Sequence, residues 1–138
     1  MFLFPKRQRK LSQQKLTDLY QNGSPIFHHP YKVFYLTYPT AAGARSECSV
    51  VISVPKRSFK RAVDRNRIKR QIREVFRLNS SVLNSELVSQ RTNIDLLCLY
   101  LPNEHKATSH LFDKMESLLA RLSQLVAQTG ASSHSGSD

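Results

Sequence analysis

Acidic residues are scarce in this chain of 138 residues: ten Asp and Glu stand against 21 Lys and Arg, leaving a formal charge of +11. None of these carboxylates is paired in a way that suggests a general acid with its base. Cysteine is scarcer still. Cys48 and Cys98 lie in separate strand-like runs with no paired spacing, which fits buried reduced thiols in a cytosolic protein. Of the five histidines, His105 and His110 lack the spacing of a helix-borne metal pair. No Cys-x-x-Cys, Walker loop or nucleophile elbow is present. Neither an apolar run long enough to span a bilayer nor an amphipathic helix with a broad apolar face stands out. Residues 1–4 are apolar, but Pro-Lys-Arg-Gln-Arg-Lys follows them, so a signal peptide is not expected. There are no internal repeats. These absences argue against a self-sufficient enzyme and against a membrane partner.

What is present is a concentration of positive charge. Residues 55–77, PKRSFKRAVDRNRIKRQIREVFR, hold ten Lys/Arg against Asp64 and Glu74, a net +8, while the rest of the chain carries only +3. Packing like charges on one element costs self-repulsion that a polyanion relieves. Phosphate backbone is the expected partner.

The length and the 40% hydrophobic content allow one domain with a sizeable core. Residues 1–11 read as a flexible basic arm, 12–129 as the folded domain and 130–138 as a disordered Ser/Gly tail. Ser12 is a candidate cap for a helix reaching Asn22, with Gly23 as its stop and Leu11 and Leu16 as a hydrophobic staple. The clearest strand is YKVFYLTY, residues 31–38, and ECSVVISV, residues 47–54, reads as a second, well-buried one. Residues 60–78 form the central helix, 79–90 a short helix or loop, and 93–101 a nearly continuous apolar strand. Helical periodicity returns with Leu111, Met115, Leu118, Leu122 and Leu125.

On a helical wheel, Ile68, Ile72, Val75 and Phe76 share an arc of about 100°, enough to seat the central helix on a sheet. Asn66, Arg70, Arg73 and Arg77 share a second arc about 60° wide, flanked by Arg67 and Lys69. Arginine outnumbers lysine there, which suits bidentate phosphate contacts and stacking on exposed bases. Two acids are too few to make a salt-bridge lattice with ten cations. Arg65 projects near the apolar edge, where it can tie the helix start to its neighbour. A DNA-reading helix-turn-helix wants a short helix just before the recognition helix, yet a strand precedes this one. An RNA-binding α/β domain fits better.

The run Arg65-Asn66-Arg67-Ile68-Lys69-Arg70-Gln71-Ile72-Arg73-Glu74, preceded by Ala62-Val63, closely resembles the bacterial ribonuclease P protein component, over roughly residues 9–125. That resemblance implies an α+β fold, a two-layer α/β sandwich with about four strands and three helices in the order α-β-β-β-α-β-α. It also implies a short first strand near 25–28 and a left-handed crossover, against the usual rule. It implies a cytoplasmic protein that pairs with a catalytic RNA and helps remove the 5′ leader of precursor tRNA, with Mg²⁺ held by the RNA subunit. Arg65, Asn66, Arg67, Lys69, Arg70, Arg73 and Arg77 would face that RNA, and Lys56, Arg57, Lys60 and Arg61 would extend the surface. A cleft for the single-stranded leader would involve Leu16, Tyr20, Tyr31 and Phe34, whose rings can stack on unpaired bases. Leu16 stands where the family usually has an aromatic residue, and no glycine precedes Ala62-Val63. The other reading of the same features is a structural or ribosomal RNA-binding protein with no part in cleavage.

Overall fold

The computed structural model describes residues 13–136; the basic arm expected over 1–11, the Leu11 staple and the Ser12 cap lie outside them. In chain order the elements are α1 (Gln13–Asn22), β1 (Ser24–His28), β2 (Tyr31–Pro39), β3 (Cys48–Ser53), α2 (Ala62–Asn79), α3 (Ser81–Gln90), β4 (Thr92–Tyr100) and α4 (Thr108–Gly136). The strands form one sheet in the order β1-β2-β4-β3. β1 pairs antiparallel with β2 and β2 with β4, while β3 runs parallel to β4. The α+β class and the four-stranded sheet are as expected.

The helix count is four rather than three, because residues 81–90 close as α3. The reason is burial: Leu83 and Leu87, one turn apart, join the main core. Between α2 and α3, the Asn79 side chain donates to the Val75 carbonyl and Ser80 Oγ to that of Arg77, satisfying carbonyls that a helix end leaves open. Arg91 then ends α3 in the left-handed region at φ 49°, its N–H donating to Leu87 and Val88.

Strand alternation divides the sheet into two unlike faces. On one, Ile26, Tyr31, Val33, Cys48, Val50, Ile52, Ile94, Leu96, Cys98 and Tyr100 meet the buried stripes of α2, α3 and α4. The α4 stripe includes Leu111, Met115, Leu118 and Leu122, all buried, with Leu125 packed at its edge. On the other face, Phe34, Leu36, Val51, Leu97 and Leu99 gather under Leu16 and Leu19 of α1. The expected two-layer sandwich therefore gains a partial third layer, because α1 has its own apolar edge to bury. α1 ends at Gly23, whose N–H donates to the Leu19 carbonyl at 3.0 Å. A Cβ at that position would sit 2.4 Å from the same oxygen, so only glycine passes. At the other terminus α4 continues to Gly136, into the segment expected to be a disordered tail. Extending a helix that is already packed adds one hydrogen bond per residue without a new nucleus.

Candidate nucleic-acid interface

α2 is fixed by its apolar side. Ile68, Ile72, Val75 and Phe76 are its buried residues, the four that the wheel assigns to the sheet. The same rigid seating holds the opposite side outward. Asn66, Arg67, Arg70 and Arg73 are exposed, and Lys69 is half-buried at the flank. Among the described residues Arg67, Lys69, Arg70 and Arg73 make no ion pair with a carboxylate. Arg77 differs: its Nε donates to Glu74 Oε1 at 3.1 Å and its Nη2 contacts Oε2 at 2.5 Å. That bidentate pair holds the Glu74 carboxyl below the usual range and the Arg77 guanidinium above its own. Asp64 sits in the first turn, favourably placed against the helix dipole.

The loop before α2 carries Lys56, Arg57, Lys60 and Arg61, all exposed. It is anchored in spite of having no glycine. Ser58 and Phe59 both donate their N–H to the Pro55 carbonyl at 3.2 Å. The buried Phe59 ring sits 5.1 Å from His105 and 6.1 Å from Tyr100. Arg65 Nη1 donates to the carbonyls of Phe59 and Lys60, each at 2.8 Å. This is the tie between helix start and neighbour that the position of Arg65 near the apolar edge suggested. His105 Nε2 lies 3.7 Å from Asp64 Oδ1.

A second surface lies on the sheet face that α1 covers only in part. Tyr20 is 56% exposed, and its ring stands 5.6 Å from that of the half-buried Phe34, tilted by 52°. Lys32 Nζ rests 4.8 Å from the Phe27 ring centroid and 5.1 Å from that of Phe34, a cation between two π faces. Phe27 is 65% exposed. Exposed rings interleaved with ammonium groups are the equipment of a single-strand platform.

The family model for ribonuclease P matches residues 4–123. This chain belongs to the ribonuclease P protein family. A ribonuclease P protein component of Porphyromonas gingivalis is 30% identical over 103 residues, 75% of this chain and 74% of that protein. One from Dictyoglomus thermophilum is 31% identical over 122 residues, covering 88% and 90%. The fold is that of the Staphylococcus aureus RNase P protein, with a TM-score of 0.62 at 22% identity over 83% of this chain and 94% of that one.

Set on the ribonuclease P protein pattern, the candidates separate. The Arg-Asn-Arg helix and its preceding loop come together as one basic surface, with Arg65 turned inward and Arg77 occupied by Glu74. Leu16, Tyr20 and Phe34 share one face of the sheet. Tyr31 does not join them. It is fully buried on the opposite face, donating its hydroxyl to the Leu111 carbonyl at 2.9 Å. The cause is strand parity: residues three apart on a strand point to opposite sides. Burial pushes the Tyr31 phenol far above its ordinary range. Phe27, Lys32 and Tyr38 also lie on this face and are not among the expected cleft residues. For Lys32 and Tyr38 the signal is the alternation Lys32, Phe34, Leu36, Tyr38 along β2, which places all four on one face; Phe27 reaches that face from β1, opposite Lys32.

Proposed function

We propose that the chain is the protein subunit of ribonuclease P. In this reading α2 and its preceding loop bind the catalytic RNA, and the open sheet face binds the 5′ leader of precursor tRNA. The RNA then removes the leader endonucleolytically. The observation that carries the reading is the exposed ridge of Asn66, Arg67, Arg70 and Arg73 on a helix whose other side is locked into the core. Guanidinium groups held by a rigid helix engage phosphate oxygens bidentately with little further ordering cost. Such a surface positions one RNA rather than coating it.

The division of labour follows from the side chains. Among the described residues, His, Cys, Asp and Glu do not gather in groups of three that could hold a metal ion. Mg²⁺ belongs with the RNA subunit in this reading, where it supplies the activation of water and stabilisation of the leaving oxygen. The protein binds, orients and screens charge. Tyr20 and Phe34 hold unpaired leader bases by stacking, and Lys32 lies beside them for a neighbouring phosphate. No helix among the described residues is long and apolar enough to cross a membrane, and the cytoplasm is the proposed location.

The test is cleavage of precursor tRNA by the catalytic RNA at low Mg²⁺, with and without the protein. Added protein should raise the cleavage rate and tighten binding of leader-bearing tRNA. An unchanged rate with tight RNA binding would instead identify a structural RNA-binding protein.

A further inference from the structure

The sheet face described above ends in a pocket whose chemistry differs from its aromatic centre. Lys15 and Asp18 of α1, Leu36 and Tyr38 of β2, and Asp95 of β4 line an open pocket of about 280 Å³, slightly below the roughly 300–1,000 Å³ of drug-sized sites. Asp95 is the unusual member. It is 5% exposed, yet the only hydrogen bond its carboxylate receives among the described residues comes from Tyr38 Oη to Oδ1, at 3.3 Å. A buried carboxylate with one long hydrogen bond keeps acceptor capacity to spare; burial pushes its pKa up, against the opposing pull of the Lys15 ammonium and the Tyr38 hydroxyl. A near-buried acceptor that lines an open pocket and has capacity to spare points to a ligand that brings donors.

The position of the pocket narrows the ligand. Asp95 pairs with Leu36, and Leu97 with Phe34, so the carboxylate is one same-face step, about 7 Å, from the Phe34 ring row. A strand stacked on Tyr20 and Phe34 brings its adjoining base within reach of this floor. Lys15 Nζ also lies 5.7 Å from the centroid of the Tyr38 ring, so an ammonium donor and a ring face border the same space as the carboxylate. The complementary base edge carries an acceptor beside two in-plane N–H donors. Guanine has that edge: O6 faces an ammonium, and N1–H and N2–H face a carboxylate. Adenine and cytosine each offer one amino donor beside acceptors, and uracil offers a single imide N–H.

We propose that Asp95, with Tyr38 and Lys15, is a base-reading site that selects an unpaired guanosine in the single-stranded RNA lying on the open sheet face. This rests on the reading of that face as the leader cleft. Asp95 accepts from N1–H and N2–H, Tyr38 holds the carboxylate in place, and Lys15 donates to O6.

The experiment measures binding of the reconstituted protein–RNA complex to precursor tRNAs in which each leader position in turn is G, A, C, U or inosine. One position should prefer guanosine over the other natural bases by between about fivefold and a hundredfold, and inosine, lacking the N2 amine, should lose most of that preference. Asp95→Asn should abolish the preference, leaving guanosine bound no more tightly than the other natural bases at that position. Tyr38→Phe, which keeps the ring and is not needed for the core, should reduce the preference in part and serves as the decisive variant if Asp95→Asn does not fold. Absence of a guanosine-selective position, or a preference that persists in both variants, overturns the proposal. Tyr20→Ala, measured in parallel, separates two failures: if it still weakens leader binding, the cleft reading stands and only base selection falls; if it does not, both fall.

Discussion

The two faces of the sheet are written in alternate residues of the same strands, and they do opposite work. On β4, Ile94, Leu96, Cys98 and Tyr100 vanish into a core shared with three helices, while Asp95, Leu97 and Leu99 look toward one short helix. The covered face supplies stability and, through it, the orientation of α2. The partly open face retains exposed rings, Tyr20 and Phe27, and a lysine between aromatic neighbours. Sheet faces half left open normally turn polar. This one keeps aromatic surface beside cations, a composition that suits the flat, anionic ligand of the proposed function.

The sharpest way to break that comparison is to truncate one residue on each side. Ile72→Ala, in the fully covered layer, should cost about 2–5 kcal/mol in urea unfolding and should loosen α2 enough to weaken RNA binding with it. Leu16→Ala, half-buried under the other face, should cost clearly less. Equal losses would make the second face an ordinary core, and its role as a binding platform would go.

The next contrast separates the platform from the ridge. Tyr20→Ala or Phe34→Ala should weaken binding of leader-bearing tRNA by about 1–3 kcal/mol per stacked base, with mature tRNA little affected. Arg70→Ala or Arg73→Ala should weaken both alike, and should make the slope of log affinity against log salt shallower by about 0.7–0.9 per lost phosphate contact. Equal losses on both tRNAs for the aromatic variants would return those rings to a packing role. An unaltered salt slope would take the arginines off the phosphates. Arg65→Ala supplies the internal control. Its guanidinium already holds two loop carbonyls, so its loss should appear as about 1–2 kcal/mol of stability before it appears in the salt slope.

How much of this was legible beforehand depends on the kind of pattern that carried it. The seating of α2 was fully legible, because four apolar residues at helical spacing leave one way to bury them. The inward turn of Arg65 followed from the same wheel. Tyr31 falls outside the cleft because strand parity, a period of two present in the residues, overrides its closeness in sequence to Phe34. α3 could be read only as a choice between helix and loop. Two leucines among Ser, Asn and Val carry little periodicity, and it was the packing against α4 that decided. The pocket at Asp95 was not legible at all. It depends on which residues of α1 come to rest over β4, and that is a tertiary fact with no local signal.

The smallest expected effect lies within the ridge itself, at the one acid on its exposed side that is paired. Glu74 is held below the usual carboxylate range chiefly by its hydrogen bond from Arg77. A depressed folded pKa means that the pair contributes above the unfolded carboxylate pKa and is lost as pH falls through the folded one. Because the Glu74 carboxylate is exposed, that contribution is screened and small. Glu74→Gln should therefore leave the melting temperature at neutral pH almost unchanged and remove only a slight acid-range dependence. Its effect on RNA should be of the opposite sign to that of the arginine variants. Deleting a negative charge from a surface facing phosphates strengthens attraction, so affinity should rise modestly, by less than Arg70→Ala lowers it. Weaker RNA binding in this variant would show that the pair with Glu74 positions Arg77 for its phosphate, and the ridge would then extend one turn further than its unpaired arginines suggest.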